Sequence, residues 1–114
     1  MAIGLMDSIL GSTKNTLGIE EEYEHFDMVL ITHINSTFST LNQLGIGPSE
    51  GFMIKDRLST WGQFLGDRKD LEMVKSYTYL RVRLLWDPPH TSYLLNSLQS
   101  QLDQLEWRLE VQGE

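Results

Sequence analysis

The run Asp87-Pro88-Pro89 limits this chain more than any other stretch of it. Helical periodicity flanks it on both sides, and the run itself cannot be helical. Pro88 pushes Asp87 out of the α region, and neither proline has an N–H to give to a helical ladder. The upstream helix must therefore stop at Trp86, and the next one starts at Thr91 or Ser92, either of which can cap it. So short a link turns the second helix back along the first, and the pair is expected to be antiparallel.

Downstream, Leu95, Leu98, Leu102, Leu105 and Leu109 alternate in spacing between three and four residues, a heptad seam. Upstream, Met73, Tyr77, Leu80 and Leu84 form an apolar stripe. Asp67 can cap that helix, with Asp70 and Glu72 in its first turn, where the unpaired N–H groups favour negative charge. An earlier helix is expected from Tyr23–His25 to Leu44. Phe26, Leu30, Ile34, Phe38, Leu41 and Leu44 lie on one face of it. Glu20, Glu21, Glu22, Glu24 and Asp27 crowd its start, and Gly45, Gly47 and Pro48 end it. A first helix is expected over Asp7 to Leu17, interrupted by Gly11 and closed by Gly18. A short one holds Trp61, Phe64 and Leu65, capped by Ser59 or Thr60 and ended by Gly66. Between Pro48 and Leu58 the pattern is irregular, and "GFMIKD" (Gly51 to Asp56) reads as a candidate short strand. The expected fold is all-α: one domain over residues 1–114, a small bundle of four to five helices with a long loop between the second and third.

Several function classes are disfavoured. The chain has 114 residues, a net charge of −7 and no cysteine. Gripping phosphate backbones needs a Lys/Arg surplus, which is missing here. Without cysteine there is no disulfide framework and no thiolate chemistry. The first residues, "MAIGLMDSILG", lack the basic start and long apolar run of a secretion signal, and no stretch is long and apolar enough to span a membrane. "GIGPSEG" (Gly45 to Gly51) is one residue too long for a dinucleotide fingerprint and follows a helix instead of a strand. Glu22 and His25 share the spacing used in di-iron bundles, but the second copy those sites need is absent, and His33 and His90 add no ligand spacing. No serine sits in a nucleophile-elbow context, and no motif selects a pair of carboxylates. Neither an enzyme nor a cofactor is expected.

Three features point instead to protein contacts. From Met28 to Ser49 there is no Asp, Glu, Lys or Arg, and opposite the apolar stripe lie Thr32, Asn35, Ser36, Ser39, Asn42 and Gln43. Small neutral groups cost less to desolvate than ions, so this face suits close approach by another chain, although a solvated face reads the same way. Arg81 sits beside the stripe of Met73, Tyr77, Leu80 and Leu84, while Arg83 and Lys75 point to the polar side. Its partner could be an internal carboxylate, solvent reached by snorkelling, or another subunit. Trp107 lies on the side of the last helix away from the leucine seam, near Tyr93, Asn96, Ser100 and Val111. It suits an interface anchor or a cover for one of the chain's own loops.

The strings "HINSTFSTLNQLGIGP", "VKSYTYLRVRLLWDPP" and "QLDQLEWRL" resemble the head–tail connector proteins of tailed bacteriophages, also called adaptor or head-completion proteins. The resemblance runs from about Ile9 to Leu109 and is weakest from Gly51 to Asp70. It implies a structural virion protein at the neck, assembled in the host cytoplasm. Copies, typically twelve, would form a ring under the portal, extend the DNA channel without specific DNA binding, and dock the next neck or tail component. It makes Trp107, Arg108 and Val111 candidate portal contacts, and Gly45, Gly47, Pro48 and Phe52 candidate contacts to a neighbour or to the tail side. A head-to-tail ring needs two unlike complementary surfaces on each subunit. The neutral face (Thr32, Asn35, Ser36, Ser39, Gln43) and Arg81 are the candidates for them. The alternatives are another neck, tail-completion or assembly protein, and a small helical DNA-binding regulator, for which Lys75, Arg81 and Arg83 would have to share a face.

Overall fold

The computed structural model describes residues 4–66 and 71–113. It is all-α, with α1 (Ile9–Thr16), α2 (Asp27–Gln43), α3 (Trp61–Leu65), α4 (Leu71–Trp86) and α5 (Ser92–Gly113), and a long loop separates α2 from α3. α2 and α5 both pack on α4, and α1 touches α2 and α4. Phe26 at the head of α2 meets Trp86 at the foot of α4 edge to face, with centroids 5.4 Å apart, so these helices are antiparallel. Tyr77 of α4 donates to Glu106 of α5 at 3.1 Å, and the chain reverses at the Asp-Pro-Pro break as expected.

Local chemistry explains the helix starts. Thr60 Oγ1 accepts from the Gln63 N–H while Gln63 Oε1 accepts from the Thr60 N–H, a reciprocal cap for α3. Thr91 Oγ1 accepts from the Leu94 N–H at the start of α5. The expected cap at Asp67 and the first-turn position of Asp70 lie outside the described residues.

α2 begins at Asp27, later than the Tyr23–His25 expected from the sequence. The preceding backbone is committed elsewhere. Tyr23 N–H donates to Glu20 O and Asp27 N–H to Glu24 O, closing two turns. The Glu21 and Tyr23 carbonyls are taken by Lys14, whose Nζ donates to them at 2.9 and 2.5 Å and to Asp27 Oδ1 at 2.8 Å. Lys14 is only 1% exposed, and all three donors of its ammonium are used.

The core contains Leu30, Ile34, Phe38 and Leu41 of α2, as the periodicity requires, with Phe26 and Leu44 packed at its margin. On α4 the fully buried residues are Val74, Tyr77, Thr78 and Val82, whereas Met73, Leu80 and Leu84 are only partly covered. α4 lies between α2 and α5, so its covered surface is wider than the single stripe expected. Lys75 is not on an open polar side either, since it faces Ser12, Thr13 and Thr16 of α1 and Trp61 of α3. Its side chain is 12% exposed and bonds Glu72 at 3.3 Å. In α5, Leu98, Leu102 and Leu109 are buried and Leu105 is half-buried. Leu95, in the first turn of α5, is exposed, as is Leu85 at the foot of α4.

Among the described residues "GFMIKD" is not a strand, and Ser8–Thr60 is an isolated antiparallel bridge. The side chain of Asn35 stands in for a neighbouring strand, with Oδ1 accepting from the Ile54 N–H at 2.8 Å and Nδ2 donating to the Ile54 carbonyl at 3.0 Å. Phe38 stacks on Phe64 at 4.1 Å, Phe52 lies 5.2 Å from Phe64, and Trp61 Nε1 donates to Ser12 Oγ at 2.8 Å. This cluster joins α1, α2, α3 and the loop.

Replacing Lys14 with Met keeps the aliphatic stem and strands Asp27 and two carbonyls. The expected cost is about 2–4 kcal/mol, below the full range for a broken buried pair because Asp27 is partly solvated. Urea unfolding should show a lower midpoint at unchanged slope.

Candidate assembly surfaces

The neutral face of α2 divides into two functions. Asn35 and Asn42 are used within the subunit: Asn35 on Ile54, and Asn42 by donating to the Pro48 carbonyl at 2.9 Å. Asn35 is therefore half-buried and its amide is not free for a neighbour, contrary to what its helical position suggested. Ser36, Ser39 and Gln43 are exposed, as is Thr32, whose hydroxyl donates to the Met28 carbonyl at 3.0 Å. Between this face and the loop runs an open groove of about 690 Å³. Ser36, Ser39 and Asn42 supply neutral polar groups, while Phe38, Phe52 and Met53 supply apolar surface.

The loop candidates are partly structural. Phe52 is half-buried in the aromatic cluster, and the Pro48 carbonyl also accepts from the Gly51 N–H. Gly47 has φ +86°, and a Cβ there would clash with the edge of the Phe64 ring, at Cε1. Gly45 has the same φ with open space around it. At the helix stop, the Asp87 N–H donates to the Arg83 carbonyl, the last bond before the prolines.

Arg81 is half-buried on α4. Its Nε is buried with no hydrogen-bond partner, and no ion pair to it forms among the described residues. The internal salt bridge considered from the sequence is thus not found there. Beside it, burial and then the Glu106 carboxylate push ionisation of the Tyr77 phenol well above the usual tyrosine range, and Arg81 opposes this. The phenol stays a neutral donor to Glu106. Arg83 is exposed, so Lys75, Arg81 and Arg83 differ in burial and do not form one open basic face.

The outer side of α5 forms another uncovered surface. Tyr93 and Trp107 are 81% and 66% exposed, and Val111 is also exposed, so Trp107 does not cover a loop of its own subunit. Arg108 is exposed at a shallow groove between α4 and α5, with Tyr79, Leu80 and Leu105. Leu94 and Leu95 extend the apolar surface at the helix start. Sequence periodicity gave no warning about Leu95, since its spacing matches that of the buried leucines. The internal roles of Lys14 and Asn35 were hidden for a different reason, because their partners lie 7 to 19 positions away.

Glu22 and His25 precede α2 and are exposed, so the helical ligand spacing does not apply. Among the described residues no group of three or more His, Asp or Glu could hold a metal ion, and no helix is long and apolar enough to cross a membrane.

A family model described as a phage connector protein matches residues 9–114. No curated protein and no solved structure matches the chain.

The two loop glycines should respond differently. Gly45→Ala should cost about 1 kcal/mol through its positive φ alone. Gly47→Ala must also displace Phe64 and should cost about 2–4 kcal/mol. Thermal melts of the two variants compare these values.

Proposed function

The chain belongs to the phage connector protein family, structural components of the head–tail junction, and from that premise we propose how it works. Copies assemble side by side into a ring, twelve by analogy with similar proteins, beneath the portal. The ring extends the DNA channel and presents a docking surface to the next neck or tail component. Assembly takes place in the host cytoplasm on heads already filled with DNA. The net charge of −7 suits a channel that DNA must slide through, because attraction to phosphates comes from cationic groups.

The observation that supports ring formation most directly is the buried, unpartnered Nε of Arg81. A buried donor left unpaired costs about 1–3 kcal/mol, so the subunit alone is not at its best arrangement there. A carboxylate or carbonyl from a neighbouring copy that draws the guanidinium outward relieves that cost, and the guanidinium fork suits either. The groove beside Ser36 and Ser39 is the second, unlike surface that a head-to-tail ring requires. Trp107, Arg108 and Val111 on α5 take the portal, with Trp107 as the aromatic anchor.

The test mixes the purified chain with portal rings and measures complex mass. Wild type should bind portal in many copies, and a failure of the ring to form removes this reading. Arg81→Ala should weaken assembly by about tenfold or more, Arg83→Ala by much less, since only the former leaves a partner group unpaired. Equal losses would mean that the two faces of α4 are misassigned. Ser39→Glu should leave monomer stability within about 0.5 kcal/mol, as expected for an exposed site, yet block assembly by burying a charge.

A further inference from the structure

Two surfaces of the subunit are each incomplete, and each holds what the other lacks. The first is an edge of α4. Arg81 is half-buried there, and its covered Nε has no acceptor. One turn further along the same face, Leu85 is exposed. The edge thus offers one unpaired cation and one uncovered apolar side chain. The second is the groove beside α2. Phe38, Phe52 and Met53 give it apolar surface, and Met53 is 73% exposed. Among the described residues that line it, Glu50 alone carries a charge. Glu50 is exposed, and among the described residues only the hydroxyl of its neighbour Ser49 donates to it.

We infer that Arg81 of one copy pairs with Glu50 of the next, with Leu85 set on the apolar part of that copy's groove. This inference rests on the ring reading and names the contact that builds the ring. Charge selects a second copy as the occupant. At a net charge of −7, two copies repel over most of their surface. The two longest stretches without Asp, Glu, Lys or Arg are Met28–Ser49, which supplies the α2 wall of the groove, and Pro88–Leu102, which follows the foot of α4. Bringing these regions together leaves one close ion pair of opposite sign in neutral surroundings. The pair does not form within a subunit. α2 and α4 are antiparallel, so Glu50, beyond the end of α2, lies toward the start of α4, and Arg81 lies toward its foot. Other carboxylates are taken: Asp27 by Lys14, Glu72 by Lys75 and Glu106 by Tyr77. Drawn outward, the guanidinium presents its planar fork to both oxygens of the Glu50 carboxylate. The contact joins unlike patches, so each copy keeps one of each for its two neighbours, and the repeat can close.

The test uses charge reversal in separate chains. Glu50→Arg and Arg81→Glu are purified individually, and assembly on portal rings is followed by complex mass. Each variant alone sets like charges together, and assembly should fall about tenfold or more. An equimolar mixture should recover to within about threefold of wild type. When the two variants alternate around an even ring, the two introduced charges pair at one contact and the native pair re-forms at the next. A pair within one chain could not be rescued in this way. Mixing Glu50→Arg with Arg83→Glu should give no recovery, since Arg83 is exposed elsewhere on α4. If wild type does not assemble on portals, the ring reading itself fails. If wild type assembles but Glu50→Arg assembles equally well, or the first mixture stays defective, or the second recovers as fully, the Arg81–Glu50 pair is overturned and the ring reading stands. Should Arg81→Glu misfold at its half-buried position, the alanine cycle decides. Glu50→Ala and Arg81→Ala should each lose about tenfold, and the double variant should be at most about threefold worse than Arg81→Ala, because the partner is already gone. Losses that multiply to about a hundredfold overturn the proposal.

Discussion

A single buried ammonium organises the N-terminal half of this protein. Lys14 lies in the helix-to-helix contact where α1 meets the head of α2, and its three donors go to Glu21 O, Tyr23 O and Asp27 Oδ1. A charge so deeply covered is tolerable only when fully paired. It is paired only if the acidic turn curls over it and α2 begins at Asp27. That start places Phe26 against Trp86 and sets the antiparallel course of α2 along α4. The acidic cluster before α2 thus serves two ends, with Asp27 turned inward and Glu20, Glu22 and Glu24 left exposed.

The loop between α2 and α3 is ordered without a sheet. Asn35 and Asn42, one helical face apart from the core stripe, bond the backbone at Ile54 and Pro48, while Phe52 inserts beside Phe38 and Phe64. Side-chain amides do for the loop what a strand would do, on one edge alone. The neutral character of α2 therefore has an internal cause. A charged residue at 35 could not make the paired donor and acceptor contacts to Ile54, and a carboxylate at 42 could not donate to the Pro48 carbonyl, while Ser36, Ser39 and Gln43 stay exposed. For a connector this division is apt, since one helix both fixes the loop and lines the groove beside it.

Much of the fold was legible from local rules. The Asp-Pro-Pro stop, the Thr60 and Thr91 caps and the apolar stripe of α2 all appear where short-range chemistry put them. These signals need only neighbours within a turn or two. The misread elements share a long-range cause. "GFMIKD" has strand-like alternation, but its edge partner among the described residues is a side chain, which no pairing pattern reveals. Leu95 follows the seam but lies where α4 ends, and Lys75 carries a charge but is covered because it faces α1 and Trp61 of α3. For the surfaces, the neutral face and the isolated Arg81 were visible as composition. Which of those polar groups were spoken for was not.

The sequence by itself determined an all-α chain with a helical hairpin at Pro88–Pro89 and a strongly acidic charge balance. Those properties follow from φ restrictions, periodicity and charge, which act over a few residues. Only the tertiary structure decided that Asn35 turns inward, that Lys14 is the buried clasp, and that the Arg81 Nε lacks a partner. The physical reason is that a polar group's fate depends on what stands within about 3 Å of it, and hydrogen bonding has no sequence period to announce the partner.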